Sequence, residues 1–400
     1  MTQAVAERLA PPHARLTRFA VQNYRNHAAL ALGLDGRHVC IFGANGSGKT
    51  NLIEAISMLS PGRGLRGADL PDMVRRPPDG SSEPAARGWA LSADFRDGEV
   101  DRKVQVALEL DELGRSRRSM KLDGAPATQN DLAEVFRVIW LTPSMDRVFA
   151  GPAGDRRKFF DRQVLAHAPQ HGTASNAYDK AMRERNALLE QGRADPSWLE
   201  GLERRMADAG AVIARNRADA LARMQAAIDG RPDGHFPKSD LDLAGPFEQM
   251  ALSGETPEAV SDALAEALAR GRGRDAAAGR TLEGVHRTDL RVTHRPKRMP
   301  AGECSTGEQK ALLMGLILAN ARALFMRDLA PNPLLLLDEA AAHLDTVRRA
   351  ALFDELSALG GQAWLTGTDR SLFDAFGDRA QRFEASADGI REVGYEVGRA

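Results

Sequence analysis

The chain has 400 residues, of which 43% are hydrophobic and 27% charged, with a formal net charge of −1. That length suits two or three domains at roughly 100–200 residues each, and the composition is globular, not that of a disordered chain. Only Cys40 and Cys304 are present, which excludes a disulfide framework and a cysteine-rich zinc site. The longest apolar run, Ala311 to Ala319, is far shorter than the roughly 18 residues that span a bilayer.

The first residues, MTQAVAERLAPPH, carry an acid and no apolar core, so they do not read as a secretory signal. A soluble, cytoplasmic protein with no membrane partner is expected. With bulk charge near zero, any nucleic-acid binding must come from a local basic face. Aromatics at 5% leave little for stacking single-stranded bases.

In chain order, Leu16 to Val21, Ala29 to Leu34 and His38 to Phe42 read as strands. The third runs directly into Gly43-Ala-Asn-Gly-Ser-Gly-Lys-Thr50. A helix follows, with Leu52, Ile53, Ile56 and Leu59 at helical spacing. Residues 60–90, rich in Gly, Pro, Arg and Ser, read as a loop region. Leu91 to Phe95 and Val104 to Leu110 read as strands, Lys121-Leu-Asp-Gly124 as a turn, and Val138 to Leu141 as a buried strand. From about Asp155 the chain turns helical, over 155–168, 174–191 and 198–228. A further helix starts at the Thr256-Pro257 cap and ends near Arg270, and 271–280 read as a flexible return. Sheet-like sequence resumes near Leu290. Helix 306–326, strand Leu334 to Leu337, helix 345–359 and strand Ala363 to Thr366 complete the pattern. Strands at both ends and helices between predict a discontinuous α/β domain, about 1–152 plus 281–400, with a helical insertion over 153–280.

Gly43, Ala44, Asn45, Gly46, Ser47, Gly48, Lys49 and Thr50 fit G-x-x-x-x-G-K-[ST]. Such a loop wraps backbone N–H groups around a phosphate chain at a helix N-terminus. Its lysine reaches the β- and γ-phosphates, and its hydroxyl can ligate Mg²⁺. Pro333-Leu-Leu-Leu-Leu-Asp338-Glu339 is a buried strand ending in two acids. Asp338 is the candidate to hold Mg²⁺ with Thr50, and Glu339 to polarise the attacking water. ATP and Mg²⁺ are therefore the expected cofactors. Ser305, in Cys304-Ser-Thr-Gly-Glu-Gln-Lys310, reads as the N-cap of a long apolar helix, with Thr306 and Gly307 leaving donors free. Cys304 itself reads as a small buried residue.

The order of these three motifs resembles that of ABC-type ATPases, in which the signature helix of one subunit faces the γ-phosphate held by the other. Ala340-Ala-Ala-His-Leu-Asp345 resembles their D-loop. More specifically, the chain resembles the RecF family of bacterial recombination-repair ATPases, relatives of SMC and Rad50 heads. The resemblance rests on Asn23-Tyr24-Arg25-Asn26, on Gly43 to Ile56, and on Gly151-Pro152 with Arg156-Arg157, Phe159 and Asp161. It extends to Gly284-Val-His-Arg-Thr-Asp289 and to Leu336 through Leu352. Departures are Ser144 where an acid is usual, Val285 for Pro and Thr288 for Asp, with no clear Q-loop glutamine. Thr368-Asp369 stands where a histidine would follow strand 363–366.

The resemblance implies an ABC-type head with an inserted helical arm, and a role for Arg25 at the nucleotide phosphates. It implies catalysis by Lys49, Glu339 and the signature Ser305 of a second subunit, within an ATP-dependent homodimer that clamps duplex DNA near gaps and releases it on slow hydrolysis. RecR and RecO, with RecA downstream, are the implied partners. A head of SMC/Rad50 type would carry far longer coiled coils than the 256 positions between Lys49 and Ser305 allow. A transporter subunit would need less chain there, and a non-hydrolysing scaffold is the remaining alternative. For DNA, residues 280–298 hold a local excess of four positive charges, with Arg291, Arg295, Lys297 and Arg298 as candidate contacts; Arg63 and Arg66 form a second cluster.

Overall fold

The computed structural model describes residues 15–76, 88–97, 100–110, 115–135, 137–192, 195–326, 333–342 and 344–394. The N-terminal stretch read for a signal, residues 77–87 of the expected loop and His343 of the D-loop-like segment lie outside them. By packing, the chain divides into two units, Met1–Ser144 with Ala321–Ala400, and Met145–Asn320.

The first unit opens with strands β1 (Arg15–Tyr24), β2 (His27–Gly33) and β3 (His38–Phe42), then helix α1 (Lys49–Ser57). It continues through β4 (Ala90–Asp97), β5 (Val100–Leu110), β6 (Ser116–Leu122), β7 (Ala125–Pro126), α2 (Gln129–Val135) and β8 (Val138–Leu141). The second unit contains α3 (Ala153–His167), α4 (His171–Gln191), α5 (Pro196–Asp229), β9 (Ser239–Ala244), α6 (Pro246–Leu252) and α7 (Pro257–Ala278). After these come β10 (Asp289–His294), β11 (Met299–Pro300) and most of α8 (Thr306–Phe325). The chain then returns to the first unit with β12 (Leu334–Leu337), α9 (Thr346–Ala358), β13 (Ala363–Gly367), β14 (Ala380–Ser386) and β15 (Gly389–Val393).

Two six-stranded sheets build the first unit. One is antiparallel, ordered β2-β1-β4-β5-β6-β7. Its strands alternate, with Phe19, Val21, Leu91, Ala93, Phe95, Val104 and Val106 buried on one face. The other is ordered β15-β14-β3-β13-β12-β8 and is parallel except for β15. Its central strands β3, β12 and β13 are buried throughout, as continuous apolar runs predict. Helix α1 touches both β1 and β13, so Leu52, Ile53, Ala55 and Ile56 are all fully buried. Ladder register places Leu337 beside Leu365 and Thr366 beside Ile41, which puts β13 between the phosphate-loop strand and the acid-bearing strand.

In the second unit α5 is 34 residues long, about 51 Å at 1.5 Å per residue. Its small residues let other helices close on it, and a Cβ at Gly210 would overlap Leu264 of α7. Two arginines are buried in this unit inside ion networks. Arg185 meets Glu203 and Asp275 at 3.0 and 2.7 Å, and Arg217 meets Asp161 and Glu248, each at 2.7 Å. Full pairing is what makes such burial tolerable.

The expectation of a flexible return over 271–280 is corrected. Helix α7 runs on to Ala278 and ends at Gly279 in the left-handed region (φ 65°). Asp275 keeps the extra turns in place by accepting from Arg185 and from Leu282 N–H (3.0 Å). The packing unit also runs beyond the expected 153–280, because β10, β11 and most of α8 pack with the helices and β9.

Candidate nucleotide-binding site

The phosphate loop follows β3 with Gly43, Gly46 and Gly48 at φ 149°, 82° and 94°, a region that only glycine occupies freely. A Cβ at Gly43 would overlap Ala385 O, and one at Gly48 would overlap the Asn26 amide. Lys49 is buried and its Nζ donates to Gly43 O (2.7 Å) and Ala44 O (2.8 Å). Burial lowers its pKa, while the nearby carboxylates of Glu339 and Asp338 act the other way. Ser47 Oγ is buried with no hydrogen-bond partner.

Asp338 and Glu339 leave the end of β12. Asp338 Oδ1 accepts from Thr50 Oγ1 (3.1 Å) and from Thr366 Oγ1 (2.7 Å). Thr366 Oγ1 in turn accepts the Glu339 N–H (2.9 Å). Glu339 has φ 53°, an uncommon conformation for a non-glycine residue and one that concentrates at functional sites. The paired strands thus bring Lys49, Thr50, Asp338 and Glu339 together as expected. The hydroxyl of Thr366 was not foreseen; the residues considered after that strand were Thr368 and Asp369. Asp369 instead caps the next turn by accepting from Ser371 N–H (2.7 Å).

Residues 23–27 brace the loop from outside. Asn23 and Arg25 are both left-handed (φ 53°). Asn26 Oδ1 accepts from Asn51 Nδ2 (2.8 Å), and His27 Nε2 lies 3.3 Å from Gly48 O. Arg25 grips fully buried Glu54 with Nε (2.8 Å) and Nη2 (2.7 Å), while Nη1 donates to Asp72 O (2.8 Å). The expected phosphate ligand is therefore committed to a carboxylate on α1.

The second unit carries the signature segment. Ser305, Thr306 and Gly307 are exposed at the start of α8. Glu308 Oε2 accepts the Ser305 N–H (3.0 Å), which is one half of a capping box. Two resemblance segments meet in this unit. Arg156 holds Asp289 through Nε (2.8 Å) and Nη2 (2.7 Å), and Arg157 donates to Thr288 O (3.1 Å). His286 bonds Tyr178 Oη (2.9 Å) and Thr281 O (3.1 Å), so His286 and Asp289 of the Gly284–Asp289 segment each have structural partners, while Arg287 is exposed.

The basic candidates are less free than their own stretches suggest. Arg295 pairs with Asp229 (2.5 Å) and Asp240 (2.7 Å), and Arg291 lies 3.8 Å from Asp242. Asp240 and Asp242 arrive because β9 runs antiparallel to β10 with Asp242 opposite Arg291, and Asp229 is the last residue of α5. Lys297 pairs with Glu308, Arg63 with Asp69 (3.2 Å), and Arg66 with Glu54 (3.5 Å). Arg298 is exposed.

Residues 15–382 match the model of the RecF/RecN/SMC N-terminal domain family. A relative from Caulobacter vibrioides, named DNA replication and repair protein RecF, is 50% identical over 92% of this chain and 95% of its own. The chain belongs to the RecF family. A RecF of Rhizobium meliloti is 49% identical over 92% of this chain and 96% of its own. The fold matches a solved structure described as "the recombination mediator protein RecF-ATPrS in RecFOR pathway". That match has a TM-score of 0.81 and 19% identity, and it covers 96% of this chain and 100% of the other. An Smc head bound to the C-winged helix domain of ScpA matches with a TM-score of 0.50 at 15% identity over 96% of this chain and 98% of its own. Membership in the RecF family accounts for the α/β head with an inserted helical unit. No helix among the described residues is long and apolar enough to cross a membrane.

Proposed function

We propose that the chain is a cytoplasmic ATP-dependent DNA-binding protein of recombinational repair and replication restart, working as a slow ATPase switch. The observation that carries this reading is the hydroxyl–carboxylate chain Thr50–Asp338–Thr366–Glu339 at the mouth of the phosphate loop. The name of its RecF relatives supports the repair assignment.

The residues fit a triphosphate with Mg²⁺. The loop leaves no room for a side chain at Gly43 or Gly48 and holds an unpartnered Ser47 hydroxyl. Thr50 and Asp338 are hard oxygen donors. Among the described residues no group of three His, Cys, Asp or Glu could hold a metal, which suits an ion completed by phosphate oxygens and water. Thr50 and Asp338 would hold Mg²⁺, and the ion would withdraw charge from the phosphate oxygens. Lys49 exchanges its two carbonyl partners for the β- and γ-phosphates, neutralising charge there. Glu339 accepts the proton of the attacking water. Thr366 keeps the Asp338 carboxylate and the Glu339 backbone in register. Arg25 would meet a phosphate only by giving up Glu54, so we read it chiefly as a brace for α1.

A second copy presents its Ser305 to the γ-phosphate, so ATP favours the dimer and ADP does not. A ligand that binds one state better is what a switch requires. The dimer holds duplex DNA near gaps, through exposed cations such as Arg298 and through Arg63, Arg66, Arg291 and Arg295 where phosphate displaces their acids. RecO and RecR, loading RecA, are its partners. The test is sedimentation with ATP, ADP and no nucleotide, with and without gapped duplex, on wild type, Lys49→Ala, Ser305→Arg and Glu339→Gln. Glu339→Gln is expected to lose turnover and accumulate ATP-bound dimer, and Ser305→Arg to bind ATP as a monomer. DNA retention that is independent of ATP and of Lys49 overturns the switch.

A further inference from the structure

Lys297, first a candidate DNA contact, sits beside the signature segment. It lies on the turn that leaves β10. There His294 Nδ1 accepts the Lys297 N–H (3.3 Å), and Arg298 follows in the left-handed region (φ 51°). The Lys297 ammonium is bonded to Glu308 Oε1, while Glu308 Oε2 takes the Ser305 N–H (3.0 Å). Buried Gln309, the next residue, donates to Gly302 O (3.3 Å) and Cys304 O (2.8 Å). Adjacent side chains of α8 therefore fold back over the loop and leave Ser305 to Gly307 exposed between them.

Charge gives this arrangement its consequence. The segment carries Glu303 and Glu308, and its next cation, Lys310, is taken by Asp146 (2.9 Å). An uncompensated carboxylate in the first turn of α8 would oppose an incoming polyphosphate at a helix end that otherwise favours anions. Lys297 and the Ser305 N–H hold the Glu308 carboxyl well below the usual range, at about 2, so its charge persists and needs a partner. As a half-exposed pair it is worth little to folding by itself.

We propose that Lys297 is a positioning residue for the signature loop. By holding Glu308 it keeps that carboxylate on the Ser305 N–H and cancels the acid that would repel the triphosphate bound to a second copy. This rests on the ATP-driven dimer proposed above.

The experiment measures dimerisation with ATP by sedimentation, ATP binding by dilute monomer, and gapped-duplex affinity across salt concentration with ATP, at protein concentrations high enough to keep every variant dimeric. The full chain is compared with Lys297→Met, Lys297→Arg, Glu308→Gln and the Lys297→Met/Glu308→Gln double variant. Lys297→Met is expected to weaken ATP-dependent dimerisation about fivefold, a typical size for a coupled contact pair, with monomer ATP affinity and the salt slope of DNA binding unchanged. Lys297→Arg restores dimerisation, and so does the double variant, because no lone carboxylate remains. Wild-type dimerisation in Lys297→Met overturns the inference alone. So does a double variant as weak as the single, and so does a DNA salt slope that falls by about one unit. A wild type that never dimerises with ATP overturns both the inference and the reading beneath it.

Discussion

Thr366 Oγ1 lies 2.7 Å from Asp338 Oδ1 and accepts the Glu339 N–H at 2.9 Å. One hydroxyl thus ties the metal-holding candidate to the backbone of the candidate base, from β13, the strand between the phosphate-loop strand and the acid-bearing strand. Thr366→Val keeps the shape and removes both bonds. The Asp338 carboxylate loses a donor and the Glu339 N–H loses its acceptor, so stability should fall by about 1–2 kcal/mol. Turnover should fall tenfold or more, with ATP affinity within about threefold of wild type. Steady-state hydrolysis beside equilibrium ATP binding checks this; unchanged turnover would remove Thr366 from the site.

Glu54 is fully buried on α1 and answers to Arg25 through two short bonds, with Arg66 a longer second partner. Arg25→Ala leaves a buried carboxylate poorly compensated, so a loss of about 3 kcal/mol is expected. Arg25→Ala/Glu54→Leu should recover much of it. Denaturant unfolding of the single and double variants decides. If the double variant is no better than the single, the pair is not what Arg25 supplies.

Gly48→Ala combines a strained backbone (φ 94°) with a clash against the Asn26 amide, whereas Gly46→Ala (φ 82°) meets open space. Both should weaken nucleotide binding, and Gly48→Ala should also lower stability by about 1–3 kcal/mol more than Gly46→Ala. Thermal melts without nucleotide separate the two effects. Equal melting temperatures for the two variants would mean that Asn26 yields and does not brace the loop.

His38 begins β3 and its Nδ1 accepts the Ala363 N–H of β13 (3.1 Å). Burial, then the nearby Arg15 and Arg379, push its pKa down to about 4. A histidine depressed on folding favours the native state most above its unfolded pKa of about 6.5. That stability drains away as pH falls toward the folded value. Between pH 7 and pH 5 the expected loss from this residue is about 2 kcal/mol. Denaturant unfolding at the two pH values should show a smaller drop in His38→Gln. An equal drop in both proteins would show that other groups carry the pH dependence.

The nucleotide site was largely legible in the sequence because its parts are local. A strand running into a glycine loop with Lys49 and Thr50, and the apolar run ending at Asp338-Glu339, each encode their own geometry through spacing and backbone freedom. The helices over 153–191 and 196–229 were legible for the same reason, since their periodicity is internal. The 271–280 stretch misled because its glycines signal a break, and the Asp275–Arg185 bond that holds it helical spans 90 residues.

Local residue patterns set the chemistry available here: which loop can wrap a phosphate, which strand ends in acids, and which helix begins at Ser305. Tertiary structure alone decided which cations are free and which hydroxyl completes the site. β9 carries Asp240 and Asp242 to the basic strand β10, α1 takes Arg25 for Glu54, and β13 places Thr366 beside Asp338. Charge and hydrogen bonding act through distance in space, and sheet order and strand register create those distances between residues far apart along the chain.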